Sequence, residues 1–142
     1  MPEESHAPEL SGVLETVLYF GDQDAAELFY ADVLGMRLIA KQPGRSLFFR
    51  AGRSVFLLFD PSAAQKGGQL PPHGATGSGH VCFVVEPASY ERWKGRLKAH
   101  GVEILQEVEW PGRQGGQSSQ SFYFRDPHGN LLEIADGDLW PD

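Results

Sequence analysis

Apolar side chains recur at alternate positions through residues 13–20. Val13, Glu15, Val17 and Tyr19 share one face, and Leu14, Thr16, Leu18 and Phe20 share the other. A period of two predicts a strand, here with both faces largely apolar. The period then lengthens: Ala25, Leu28, Phe29 and Val33 follow helical spacing behind Asp22 and Asp24, either of which can cap. Asp24 with Glu27 has the spacing of a capping-box variant. Gly35 stands where a left-handed residue closes a helix. Runs at 36–40, 46–50 and 55–59 predict three strands, the last two joined as a hairpin through Gly52.

The same order returns further along. A strand at 80–85 leads to Pro87, well placed at a helix start, and Tyr90, Trp93 and Leu97 repeat at helical spacing up to Gly101. Strands are predicted at 102–107, 121–125 and 131–135, the last pair joined by a turn through Asp126, Pro127, His128, Gly129 and Asn130. Gly35 recurs as Gly101, the position of Glu15 recurs as His80, and residues 46–50 recur as 121–125. The parse is therefore two βαβββ modules, 11–60 and 79–137, joined by a Gly- and Pro-rich linker over 61–78, giving an α+β fold in one domain over 11–137.

Composition narrows the function. The 142 residues hold 12 Lys+Arg against 19 Asp+Glu, a net charge of −7 that argues against a phosphate backbone as partner. No apolar run approaches the roughly 20 residues of a membrane span. The opening residues are polar and acidic, unlike a secretory signal, so a cytoplasmic address is expected. Cys82, the single cysteine, lies in an apolar run and reads as a buried thiol in a reducing compartment.

Polar residues that interrupt these strands are the candidates for chemistry. Glu15 interrupts the first strand, His80 opens its repeat mate, and Glu133 interrupts the last strand, where the mate is Leu57 or Leu58. A carboxylate buried without a partner is costly, so each acid calls for a cation, a proton or a donor. One imidazole and two carboxylates suit a divalent ion such as Mn, Fe, Ni, Co, Mg or Zn, with positions left open for substrate. Trp110, Phe122, Phe124 and Trp140 are candidate pocket aromatics, and Arg113, Gln117 and Ser118 lie in a loop long enough to close over a ligand. His73 reads as a solvated linker residue and His128 as a turn residue.

Three segments carry a family resemblance. Residues 29–36 (Phe29, Tyr30, Asp32, Val33, Leu34, Gly35, Met36) resemble the FYxDVLGM helix end of the vicinal oxygen chelate superfamily. Gly79-His80-Val81 resembles its GHV strand, and residues 124–133, from Phe124 through Asp126, Pro127, Gly129 and Asn130 to Glu133, resemble its FxDPxGNxxE hairpin. That superfamily includes glyoxalase I, fosfomycin-resistance proteins, bleomycin-resistance proteins and extradiol dioxygenases.

The resemblance implies a cup-shaped mixed sheet, a divalent metal held at Glu15, His80 and Glu133, and a homodimer whose modules pair within or across chains. It implies Lewis-acid chelation of a small oxygenated substrate with stabilisation of an enolate or alkoxide, in a lyase, isomerase or thiol transferase. Glu15 or Glu133 would move the proton. The alternative it implies is a non-catalytic small-molecule binding protein of the bleomycin-resistance type. Two positions depart from the pattern: Glu15 stands where His is common, and Leu57 or Leu58 stands where glyoxalase I has a fourth ligand.

Overall fold

The computed structural model describes residues 7–112, 116 and 118–140. Its first half runs β1 (Glu15–Tyr19), α1 (Gln23–Glu27), a π-helical segment (Leu28–Val33), β2 (Arg37–Gln42), β3 (Ser46–Ala51) and β4 (Ser54–Phe59). After a short α2 (Pro61–Gln65), the second half repeats the plan with β5 (His80–Val84), a 3-10 turn (Pro87–Ser89), α3 (Tyr90–Ala99), β6 (Gln106–Trp110), β7 (Ser119–Arg125) and β8 (Leu131–Ala135). The strands form two four-stranded sheets with the same order, β1-β4-β3-β2 and β5-β8-β7-β6. In each, the first strand is parallel to the last and the other pairs are antiparallel. The expected pair of βαβββ modules is present.

Local chemistry explains most of the boundaries. Asp22 caps α1, its Oδ1 accepting from the Ala25 amide at 3.1 Å, so the Asp24 capping box is not the one used. The helix widens into a π turn and stops at Gly35, whose φ of +70° is the left-handed conformation that only glycine adopts at little cost. Gly101 closes α3 in the same way, at φ +78°. Asp60 caps α2 by accepting from the Ala63 amide at 2.9 Å, with Pro61 at the first turn.

Two expectations need correction. The Gly- and Pro-rich linker, for which no element was predicted, carries α2, signalled by Asp60 and Pro61. The strand expected at 102–107 lies at Gln106–Trp110, because the ladder to β7 begins only where the Leu105 amide donates to the Tyr123 carbonyl at 2.8 Å and then runs from Gln106 against Tyr123 to Trp110 against Ser119. Val102 and Ile104 still pack against the core, so the apolar alternation was correct in substance and displaced as a strand.

Each sheet turns one face toward a shared core. Leu47, Phe49, Phe56 and Leu58 from the first half join Phe122, Phe124, Leu132 and Ile134 from the second, with Tyr30, Tyr90 and Leu97 from the helical segments. Buried aromatics of this kind dominate the stabilising area of a small domain. The modules are also tied by polar bonds. The Tyr30 hydroxyl donates to Asp126 Oδ2 at 2.6 Å with both groups buried, and Arg96 donates to the carbonyls of Asp32 and Val33 at 2.7 and 2.8 Å. Burial, then the neighbouring Asp126 carboxylate, pushes the Tyr30 phenol well above its ordinary range.

Candidate metal centre

The strand registers settle which positions are equivalent. Glu15 pairs with Val55 and Val17 with Leu57 in the first sheet; His80 pairs with Leu131 and Cys82 with Glu133 in the second. Glu15 therefore matches His80, and the mate of Glu133 is Leu57 rather than Leu58.

His80 is fixed by the turn that precedes β8. Asn130 is buried in the Asp126–Asn130 turn, accepting from the Gly79 amide through Oδ1 at 2.9 Å. Its Nδ2 donates to the Tyr19 carbonyl at 3.0 Å and to Asp126 Oδ2 at 2.9 Å. Asp126 in turn accepts from the backbone amides of His128 and Asn130. Gly79 leaves room for Leu18, whose Cδ2 would lie 2.4 Å from a Cβ there and would have to shift. This network clamps the start of β5 between the two modules.

The imidazole that follows is oriented on both nitrogens. Nδ1 lies 2.9 Å from the Leu131 carbonyl oxygen, which only accepts, so Nδ1 carries the proton. Nε2 then presents its lone pair to Glu133 Oε1 at 3.3 Å. A lone pair facing a carboxylate oxygen needs a positive charge between them, a second proton or a metal ion. Glu133 is 5% exposed, and its other oxygen, Oε2, is buried with no hydrogen-bond partner among the described residues. A carboxylate oxygen left bare in that way is an energetic defect unless a cation takes it up. His80 and Glu133 thus fit two positions of a divalent site with N and O donors.

Glu15 does not join them within the chain. It sits exposed at the start of β1, and among the described residues no group of three or more His, Cys, Asp or Glu side chains comes together to hold a metal ion. The expectation of a carboxylate stranded between apolar faces is corrected at this position: Glu15 is the first residue of its strand, and solvent reaches it.

Other side chains on the outer face of the second sheet frame the His80–Glu133 pair. Cys82 lies directly across from Glu133, and Tyr123 lies across from Glu133 on the opposite side. The Tyr123 ring stacks on the His80 ring at 6.2 Å between centroids and 26° between planes. Burial first and the Glu133 charge second raise the Tyr123 phenol. The same two causes push the Cys82 thiol up to about 12. Cys82 was expected to be core filler. It is exposed, because it shares the face of His80, which the chain itself leaves open, although the flanking strands still crowd its sulfur.

The expected pocket aromatics divide. Phe122 and Phe124 are wholly buried in the core, packed against Tyr90 and Phe29, and line no ligand pocket. Inward positions of β7 alternate with outward ones, and it is Tyr123, between them, that faces the site. Trp110 is on the outer side, its Nε1 donating to Ser121 Oγ at 2.9 Å, and Trp140 is 70% exposed. Arg113 and Gln117 lie outside the described residues; Ser118 donates to Glu109 at 3.0 Å. His128 serves its turn, while His73, expected to be merely solvated, bonds the Tyr19 hydroxyl through Nδ1 at 2.8 Å. Sequence reasoning missed Tyr123 and the clamp of Asp126 and Asn130. The alternation of residues 121–125 would have placed Tyr123 outward, whereas burial of the turn acids left no local signal.

Fold and site now define a class. The family model for the Glyoxalase/Bleomycin resistance protein/Dioxygenase superfamily matches residues 12–134, and the chain belongs to that superfamily. A lactoylglutathione lyase structure from Agrobacterium tumefaciens superposes with a TM-score of 0.84 at 41% identity, covering 93% of this chain and 98% of that one. A virulence protein of Salmonella typhimurium is 30% identical over 126 residues, 84% of this chain and 79% of the relative. Metallothiol transferase FosB of Shouchella clausii is 39% identical over 62 residues, 42% of this chain; the match spans only 39% of that relative's length.

Proposed function

We propose that the chain is a metal-dependent enzyme acting on a small oxygenated molecule, with its site assembled from two copies: His80 and Glu133 of one chain and Glu15 of the partner subunit. The observation that carries this reading is the bare, buried Glu133 Oε2 beside an Nε2 lone pair 3.3 Å from Oε1, a pair of donors prepared for a cation. Support for a second copy comes from the surface. Glu15 is solvent-exposed, and the face holding His80 continues into Val84, which is 68% exposed. Exposed apolar area adjoining an incomplete polar site is what a symmetric partner covers.

A divalent ion at these donors would act as a Lewis acid toward paired substrate oxygens. The chain's own residues supply the rest. The Leu131 carbonyl holds the imidazole in one tautomer, and the Asn130 clamp keeps the start of β5 in place. Tyr123, stacked on His80 and across from Glu133, borders the site with its phenol. Glu15 or Glu133 is the group available to accept a proton.

The test measures bound metal and turnover of the wild type, His80→Ala, Glu15→Gln and Glu133→Gln, across small diols, epoxides, thiol conjugates and 2-oxoaldehydes. Loss of metal in His80→Ala, Glu15→Gln and Glu133→Gln, with loss of whatever turnover the wild type shows, is expected. Undiminished metal content and activity in Glu15→Gln and Glu133→Gln would overturn the reading.

A further inference from the structure

A second feature opens beside β5, with Cys82 and Val84 of the His80 face among its lining. A cavity of about 520 Å³ opens between the first module and β5, a size suited to a small organic ligand. Its walls are apolar, with Met36, Phe56, Val81, Phe83, Trp93 and Ile134 among them, and two arginines, Arg37 and Arg50, line it as well.

The arginines are placed side by side by the sheet. Arg37 and Arg50 are direct cross-strand partners of β2 and β3. Both are solvent-exposed, where like charges in that relation repel weakly and an anion between them is favourable. Neither guanidinium has a carboxylate or carbonyl partner among the described residues, whereas Arg45, Arg96 and Arg125 each donate to backbone carbonyls. Acids are plentiful in a chain of net charge −7, yet none is set against this pair. The nearest in the same row across the sheet is Glu15, two strands from Arg50 beyond Val55, or roughly 10 Å at ordinary strand spacing.

We propose that this cavity binds a small molecule bearing a carboxylate or phosphate-type oxyanion on an apolar body, with the oxyanion held between Arg37 and Arg50. The planar guanidinium fork matches either oxyanion in bidentate fashion, and the apolar walls receive the remainder of the ligand. The inference goes beyond the metal-site reading, and the cavity shares Cys82 and Val84 with the face that reading gives to the partner subunit.

The experiment is calorimetric titration of the full chain with benzoate, phenylphosphonate and the neutral isostere benzamide, repeated on R37Q, R50Q, R37Q/R50Q, R37K/R50K and, as a control outside the cavity lining, R53Q. Both anions are expected to bind at least about tenfold more tightly than benzamide, with the tighter one naming the oxyanion class. The double Gln variant is expected to lose about tenfold, the double Lys variant less, and R53Q nothing. The His80→Ala variant keeps its anion affinity, which separates this result from any outcome of the metal test. Benzamide binding as tightly as the anions, anion affinity unchanged in R37Q/R50Q, or no anion binding at all would overturn the proposal.

Discussion

The outer faces of the two half-sheets share a register and have opposite characters. On the first, Val17, Tyr19, Phe48, Val55, Leu57 and Phe59 form an apolar patch, and Ala64 of α2 packs onto it. His73 completes the cover, bonded to Tyr19 and packed edge-on against Phe59 at 4.6 Å. On the second, Cys82, Tyr123 and Glu133 stand where Val17, Phe48 and Leu57 stand on the first, His80 stands where Glu15 does, and no described segment packs over them as α2 does. One copy of the unit closes its face with its own linker. The other, among the described residues, has no such cover and is polar at its centre. The contrast is sharpest at one position, where Leu57 in the first sheet becomes Glu133 in the second.

Exchanging these side chains breaks the comparison most severely. Leu57→Glu places an unpaired carboxylate under α2 and is expected to cost about 3–5 kcal/mol by urea unfolding. Asp126→Ala removes the shared acceptor of the Tyr30 hydroxyl, the Asn130 amide and two backbone amides, an expected loss of about 3–4 kcal/mol on the same assay. Glu133→Leu goes the other way: deleting the bare buried carboxylate is expected to leave the metal-free protein unchanged or up to about 2 kcal/mol more stable while abolishing metal uptake. Stability sacrificed for a binding site has that signature, and a large destabilisation would mean Glu133 is structural.

The smaller effects concern the cover and the flank. His73→Ala is expected to cost about 0.5–1 kcal/mol, because its bond to Tyr19 is exposed. Hydrogen bonds from Lys94 and then Tyr90 hold the Glu107 carboxyl below its usual range. A depressed carboxyl stabilises the fold above its unfolded value of about 4.3 and loses that contribution as pH falls through the folded value. The melting temperature of Glu107→Gln should therefore trail the wild type at pH 7 and converge with it near pH 3, by a small amount given the exposure of the pair.

Much of this was legible in the chain. Internal repetition gave the two modules, and glycine stops and turn residues gave their punctuation, because these signals depend on local backbone chemistry. Glu133 stood out as an acid in an apolar strand. Less legible were features decided by what lies opposite in space. Val102, Ile104, Val108 and Trp110 all keep a period of two, and only where the chain meets β7 decides which of them become β6. Cys82 and Glu15 are apolar or interrupting by sequence alike, and only the openness of their surroundings exposes them. Asp126 and Asn130 read as ordinary turn residues, and their burial between modules depends on Tyr30 and Tyr19 arriving from the other half.

The most direct test of the proposed centre is to refold an equal mixture of Glu15→Gln and His80→Ala chains and measure bound metal. A site shared between copies gives each mixed dimer one intact centre, so about a quarter of wild-type metal should return where neither variant alone binds any. Metal that stays absent from the mixture, or that binds fully to Glu15→Gln alone, would contradict a centre built from His80 and Glu133 of one chain and Glu15 of the partner subunit.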